Sequence, residues 1–248
     1  MNQRQKEILK ILTEDQELSV SELSDQFSVS GVTIRQDLDY LQSQGLLRRV
    51  HGGAVLHSQD DIAHRLSINY EKKLAIADRA AQFISEGDTL FIEAGSTNAI
   101  LARQLASRSD IRVVTNNLFV ARSLKQSSVN VLVLGGVYQH DSECIVGGLA
   151  KLGLSELNFD KAFIGLDGFT FEEGLTCSDM MRTEITSMVV GKARETFVLT
   201  DSPKFGRVAL TQICNVEEVD HVITDGGIPR HYVDHLAEYD VELTVTEQ

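Results

Sequence analysis

The chain has 248 residues, enough for one large α/β domain or a small domain plus a medium one, with a sizeable core. At 42% hydrophobic and 24% charged it is composed like a globular protein, and no apolar run approaches the roughly 18 residues that span a bilayer. Its net charge of −13, taken alone, speaks against nucleic acid, yet salt screens charges beyond about 10 Å, so the placement of the cations outweighs their total.

The N-terminus, MNQRQKEILK, lacks the apolar core of a signal peptide, and no membrane partner is expected. Cys144, Cys177 and Cys214 are widely spaced and odd in number. Such spacing fits reduced structural thiols in a cytoplasmic protein better than a disulfide framework or a metal site.

In chain order, Ile8, Leu9, Ile11 and Leu12 have helical spacing. Ser19 and Glu22 are three apart, as a capping box requires, and open a short second helix through Leu23 to Phe27. Ser30 can cap a third helix from Gly31, in which Ile34, Leu38 and Leu41 face the core and Thr33, Arg35 and Gln36 face away. Gly45 closes that helix. LLRRVHGGAVL then reads as a two-stranded ribbon turning near His51-Gly52-Gly53. Three short helices and a ribbon make a winged helix-turn-helix over residues 1–57. Its third helix would enter the major groove, with Arg35 suited to guanine, Gln36 to adenine and Thr33 to a phosphate. Ser30, Arg48, Arg49 and His51 complete the candidate DNA contacts. The segment carries six Lys/Arg against eight Asp/Glu, so a protein-binding three-helix module is the competing reading.

Three separated stretches settle between them: Arg4 to Ile8, Ser30-Gly31-Val32-Thr33-Ile34-Arg35-Gln36-Asp37-Leu38, and Arg48-Arg49-Val50-His51-Gly52-Gly53-Ala54. In that order and spacing they resemble the DNA-binding signature of the DeoR family of bacterial repressors.

Residues 57 to 70 are polar and weakly periodic, and a linker is expected over 58–73, ahead of an effector-sensing and oligomerisation domain over 74–248. A helix (Leu74, Ile76, Ala77, Ala80, Ala81, Ile84) leads to the strand Thr89 to Ile92. The apolar runs IRVVT, VNVLVL, KAFIGL, TFVLT and HVIT then alternate with helical stretches. That alternation predicts a mostly parallel sheet with helices on both faces, whose ligands bind at the C-terminal ends of the strands.

Small and polar clusters fall at those ends: Gly95-Ser96-Thr97-Asn98, Thr115-Asn116-Asn117, Gly135-Gly136, Gly165 with Asp167 and Gly168, Gly174-Leu175-Thr176, and Asp201-Ser202-Pro203-Lys204. Each alone is ordinary loop chemistry; together they predict one crevice. Ser96, Thr97 and the backbone N–H groups there would hold a phosphate and Lys204 would supply positive charge. Asn116, Asp167 and Asp201 suit hydroxyls, with Asp alternatively orienting Lys204, and Gly95, Asn98 and Thr176 complete the candidate effector residues. Neither GxxxxGK[ST] nor GxGxxG is present, no aromatic is placed to sandwich a base, and no cofactor is expected.

The order of these motifs resembles the sugar-phosphate-sensing domain of DeoR-type regulators, a domain related to ribose-5-phosphate isomerase. The resemblance implies a cytoplasmic repressor of carbohydrate-metabolism genes, a homo-oligomer (dimer or tetramer) that releases operator DNA on binding a phosphorylated sugar. Two departures stand out: Glu93-Ala94 precedes the glycine where the family usually has an Asp or similar small pair, and Ser178 to Arg182 replaces an Asn-Glu-rich helix start. Arg182 is either a grip for a second anionic group or a surface ion-pair partner of Glu184 or Asp179. The competing class is a sugar-phosphate isomerase. That chemistry needs an acidic Asp-Gly-Ala-Asp-Glu segment and a Lys-Gly-Gly-rich loop. Here the matching place reads Gly165-Leu166-Asp167-Gly168-Phe169-Thr170, with only the first Asp, and the Lys loop has no counterpart. A phosphate grip without that pair predicts a sensor.

Overall fold

The computed structural model describes residues 1–56 and 62–247, which divide into two compact units, Met1–Tyr70 and Glu71–Gln248. In the first unit α1 (Gln3–Asp15) is capped by Asn2 and buries Ile8, Leu9 and Leu12. The expected Ser19–Glu22 capping box opens α2 (Val20–Phe27), and Ser30 caps α3 (Gly31–Ser43) through the Thr33 N–H. Ile34, Leu38 and Leu41 are fully buried on the inner face of α3. Gly45, at φ 65°, turns the chain out of the helix.

The wing has three strands rather than two: β1 (Glu17–Ser19), β2 (Arg48–Val50) and β3 (Gly53–Val55), ordered β1-β3-β2 and antiparallel. A three-residue strand carries too little alternation to be read from sequence. Gly52 turns the ribbon at φ 80°, and a Cβ on Gly53 would strike the Leu18 carbonyl of β1. Residues 57–61, part of the expected linker, lie outside the described residues. The next stretch, also read as linker, forms α4 (Ile62–Ser67), which packs on α1 with Ile62 and Leu66 buried.

In the second unit α5 (Tyr70–Ala81) precedes β4 (Thr89–Ile92), α6 (Ser96–Gln104), β5 (Arg112–Thr115), α7 (Leu118–Ser123) and β6 (Asn130–Val133). There follow β7 (Val137–Gln139), β8 (Cys144–Val146), α8 (Gly148–Ser155), β9 (Lys161–Ile164), β10 (Gly168–Thr170), β11 (Gly174–Cys177) and α9 (Met180–Val190). The chain ends with β12 (Glu195–Leu199), β13 (Thr211–Cys214), β14 (His221–Asp225), α10 (Arg230–Leu236) and β15 (Glu242–Thr246).

Seven strands form one parallel sheet, ordered β15-β14-β12-β9-β4-β5-β6. Its central strands are continuous apolar runs because both faces are covered. Phe91, Phe163 and Phe197 are fully buried, and the last two stack at 5.1 Å. From β4 the chain winds outward through β5 to β6, then returns across the sheet to start again at β9. The order therefore reverses between β4 and β9, and the crevice past their C-terminal ends is the switch point where parallel sheets bind ligands.

Two smaller antiparallel elements, the β7–β8 hairpin and the sheet β10-β11-β13, lie outside the sequence reading. Gly174-Leu175-Thr176 is therefore not a turn after a parallel strand; it is the body of β11. Cys144, Cys177 and Cys214 are free and buried, and burial raises all three thiols, Cys214 to about 12.

Candidate DNA interface and effector site

On the first unit the outward face of α3 carries the expected polar set. Arg35 and Gln36 are exposed, and Thr33 is half-buried with its hydroxyl 2.9 Å from the Ser30 hydroxyl. Ser30 and Thr33 thus build the helix start, and Arg35 and Gln36 stand exposed on the outward face. Asp37, one position on, turns inward: its carboxylate accepts from Arg4 Nε at 2.5 Å and Gln5 Nε2 at 2.9 Å, tying α3 to α1. Val32 is 61% exposed beside Thr33. Its apolar side chain carries no sequence signal for DNA contact, although an outward β-branched residue at the head of such a helix suits a thymine methyl.

The wing's two arginines differ. Arg48 and His51 are exposed. Arg49 lies back on α3, with Nη1 2.5 Å from Asp39 Oδ1 and 3.3 Å from the Arg35 carbonyl, and Nε 3.3 Å from the Gly53 carbonyl. Sequence treats the two alike; the fold gives Arg49 a clamping position.

On the second unit the loops after β4, β5, β9 and β12 carry most of the expected effector residues. After β4 the backbone runs through buried Glu93 and Ala94 to Gly95, whose extended φ of 167° leaves room for an ordinary Cβ contact with Asn98. Ser96 opens α6, a nine-residue helix, without a side-chain cap. Thr97 is buried at that start, and Asn98, fully buried, donates to the Glu93 and Phe163 carbonyls at 3.1 Å each, stitching β4 to β9.

Glu93 is the residue whose role sequence did not reveal. Its carboxylate accepts from Arg182 Nη2 at 3.2 Å and from the Gly165 N–H at 3.1 Å. Arg182 is therefore not paired with Glu184 or Asp179: Glu184 pairs with Lys151, and Asp179 caps the Arg182 backbone N–H at the start of α9. Burial raises the Glu93 carboxyl above its ordinary range, against the pull of Arg182 and the Gly165 N–H. Burial also opposes the Arg182 charge, but Glu93 and its neighbours outweigh it and hold the guanidinium protonated. An acid 89 positions away offers no local spacing to detect.

Asn116, after β5, is fully buried and donates to the Ile145 carbonyl at 3.3 Å. Asp167, after β9, accepts from the Ser178 N–H at 2.9 Å, and Lys204 Nζ stands 3.9 Å from its other oxygen. Asp201, after β12, is buried, and its carbonyl accepts the Lys204 N–H. Thr176 is committed elsewhere: its hydroxyl donates to the Gly168 carbonyl and accepts from the Ala209 N–H, both at 2.9 Å. A second unforeseen acid, Asp225, anchors the Asp201–Lys204 loop. It accepts from the Ser202 N–H at 2.7 Å, the Ser202 hydroxyl at 3.0 Å and Lys72 at 2.8 Å. No helix among the described residues is long and apolar enough to cross a membrane, and no His/Cys/Asp/Glu group there could hold a metal ion.

Known proteins match both units. The DeoR-like helix-turn-helix domain matches residues 4–60, and the DeoR C-terminal sensor domain matches residues 68–226. The chain is 35% identical over 244 residues to the lactose phosphotransferase system repressor of Lactococcus lactis subsp. lactis, covering 95% of each. It is 33% identical over 231 residues to the HTH-type transcriptional regulator GolR of Listeria innocua, covering 91% of each. Among solved structures, ribose 5-phosphate isomerase A of Methanocaldococcus jannaschii aligns over 55% of each chain, with 20% identity and a TM-score of 0.42.

Proposed function

The chain belongs to the DeoR family of DNA-binding transcriptional regulators, and from that premise we propose that it represses carbohydrate-metabolism genes and is released from operator DNA by a phosphorylated sugar. It is a regulator and not an enzyme, as its named relatives are. A relative named as the repressor of a lactose phosphotransferase system makes sugar genes the natural regulated set.

One observation carries the effector reading: at the β4–β9 switch point the Gly165 N–H bonds the Glu93 carboxylate at 3.1 Å, which ties the loop bearing Asp167, with Lys204 Nζ 3.9 Å from it, to the loop that leads into the uncapped start of α6 at Ser96. Backbone donors and a lysine suit a phosphate; Asp167, Asn98 and Asn116 suit hydroxyls. Arg35 and Gln36 would read the major groove, with Arg48 and His51 near the backbone. The active species is a cytoplasmic homo-oligomer, since one winged helix reads a half-site and a second copy supplies the effective concentration a sparse basic surface needs.

Thermal shift of the full-length protein against a panel of sugar phosphates tests the effector class. A ligand that binds the folded state raises its melting temperature by mass action. A hit on the parent that is lost in Lys204→Ala supports the reading; equal shifts in both remove Lys204 from the site, and an unresponsive parent rejects the class. Sedimentation showing a monomer at micromolar concentration, with and without DNA, rejects the oligomer.

A further inference from the structure

The seven-stranded sheet has two edges, and they differ in chemistry. β15 presents Glu242, Thr244 and Thr246, and a charge on an edge strand discourages another chain from pairing with it. β6 presents Val131, Leu132 and Val133 with no charge, and no further strand pairs with it among the described residues. Leu132 and Val133 are each 38% exposed, whereas the strands of parallel sheets ordinarily have both faces covered.

The apolar surface continues from that edge onto α8. Leu134, two residues past Leu132 and on the same face, extends the ladder through its N–H to the Thr115 carbonyl. Its side chain comes within 3.6 Å of the Cβ position at Gly153 of α8. On that helix Ala150 and Leu154 turn inward, while Leu149 and Leu152, three apart on the outer face, are 70% and 62% exposed. At Gly147, just before α8, Val137 of β7 and Met181 of α9 both approach the Cβ position at 3.7 Å, and both are exposed. Lys151, the charge between the two leucines, is held by Glu184 at 2.8 Å.

Area and charge together indicate what covers this surface. Leu132, Val133, Val137, Leu149, Leu152 and Met181 expose roughly 600 Å² in all, at the top of the range for the largest apolar patch on a monomer. Each partner of a standard interface gives about 800 Å², about 65% of it apolar in homodimers, so the patch meets what one such interface needs. Its centre is also uncharged, in a chain of net charge −13. Two copies repel over most of their surface and can meet where that charge is absent, and an apolar patch is its own complement about a two-fold axis. We propose that the β6 edge and the outer face of α8 form the contact between two copies of this chain. The inference rests on the oligomer reading above and gives it a place on the fold.

The test is sedimentation of the full-length protein at micromolar concentration, with circular dichroism to establish that each variant is folded. Leu149→Glu combined with Leu152→Glu should halve the particle mass, because each copy then brings two carboxylates into an apolar contact. Val137→Glu should act in the same direction, and it carries the test if the double variant fails to fold. Val245→Glu, on the opposite edge at β15, should keep the parent mass. Folded patch variants that sediment at the parent mass assign the patch to a different partner and overturn the proposal, while leaving the oligomer reading standing. A halved mass in Val245→Glu alone moves the interface to β15 and overturns it likewise. A parent that is a monomer, with and without DNA, overturns both.

Discussion

Arg49 and Asp39 join the wing to the third helix: Nη1 of the arginine lies 2.5 Å from Oδ1 of the aspartate and 3.3 Å from the Arg35 carbonyl. Arg49 therefore fixes where Arg35 stands relative to the β2–β3 ribbon. Asp39 is 67% exposed, so the pair alone adds little stability; its value is positional. Asp39→Asn should free Arg49 for a phosphate and raise affinity for unrelated DNA more than for operator, lowering the specificity ratio. Equilibrium binding to both DNAs at two salt concentrations checks this; an unchanged ratio contradicts it.

Arg35 and Arg48 should fail in different ways. Arg35→Ala should cost about 1–3 kcal/mol at the operator and relax the preference at one base pair. Arg48→Ala should weaken all sequences alike and reduce the salt slope by about one. Binding curves over a salt series, with operator variants substituted base by base, separate the two.

Asp225→Asn should loosen the loop that presents Lys204. Losing the Lys72 ion pair and weakening the bonds from Ser202 should cost about 2 kcal/mol. Burial alone would raise the Asp225 carboxyl, but Lys72, the Ser202 and Gly227 N–H groups and the Ser202 hydroxyl outweigh it, and its pKa falls below the ordinary 3.8. A carboxyl lowered by folding stabilises the native state fully above its unfolded value and loses that contribution as pH falls through the folded one. The stability gap between parent and Asp225→Asn should therefore be widest near neutral pH and shrink below pH 3.8. Urea unfolding of both proteins across that range measures it.

Gly95→Val should separate sensing from DNA binding. The extended backbone at Gly95 accepts a side chain, and its nearest neighbour would be Asn98 at 3.5 Å, an ordinary contact. The fold should survive, while the added methyl groups cover the approach to the α6 N–H groups. Operator affinity should match the parent and the thermal shift from sugar phosphate should vanish; a retained shift would move the phosphate elsewhere.

What could be read from the sequence follows from the range of each interaction. Capping boxes, helix faces and buried parallel strands are written within a few residues, so Ser19–Glu22, the Ile34–Leu38–Leu41 face and the KAFI and TFVL strands are legible. The wing's first strand, Glu17–Ser19, and the hairpin at Val137–Val146 are too short or too exposed to carry a period. The edge strand Glu242–Thr246 is marked only by its pairing with His221–Asp225. Site loops are legible as clusters of small residues, but pairings across the fold are not. Nothing near Arg182 points to Glu93, and nothing near Lys204 points to Asp225. Thr176 misleads for a related reason: its neighbours resemble a turn, while the fold uses its hydroxyl to bind Gly168 to Ala209.

In the proposed function, effector binding at the β4–β9 crevice controls DNA binding by the first unit. Linkage requires that a sugar phosphate which weakens operator affinity be bound more weakly, by the same factor, when operator is present. The direct measurement is fluorescence anisotropy of a genomic fragment selected by the full-length protein, titrated with and without saturating sugar monophosphate, on parent and Lys204→Ala in parallel. The parent should lose at least tenfold in affinity and Lys204→Ala should not change, with both proteins equal in the absence of ligand. A parent that holds its DNA equally well with and without every sugar phosphate tested would contradict it.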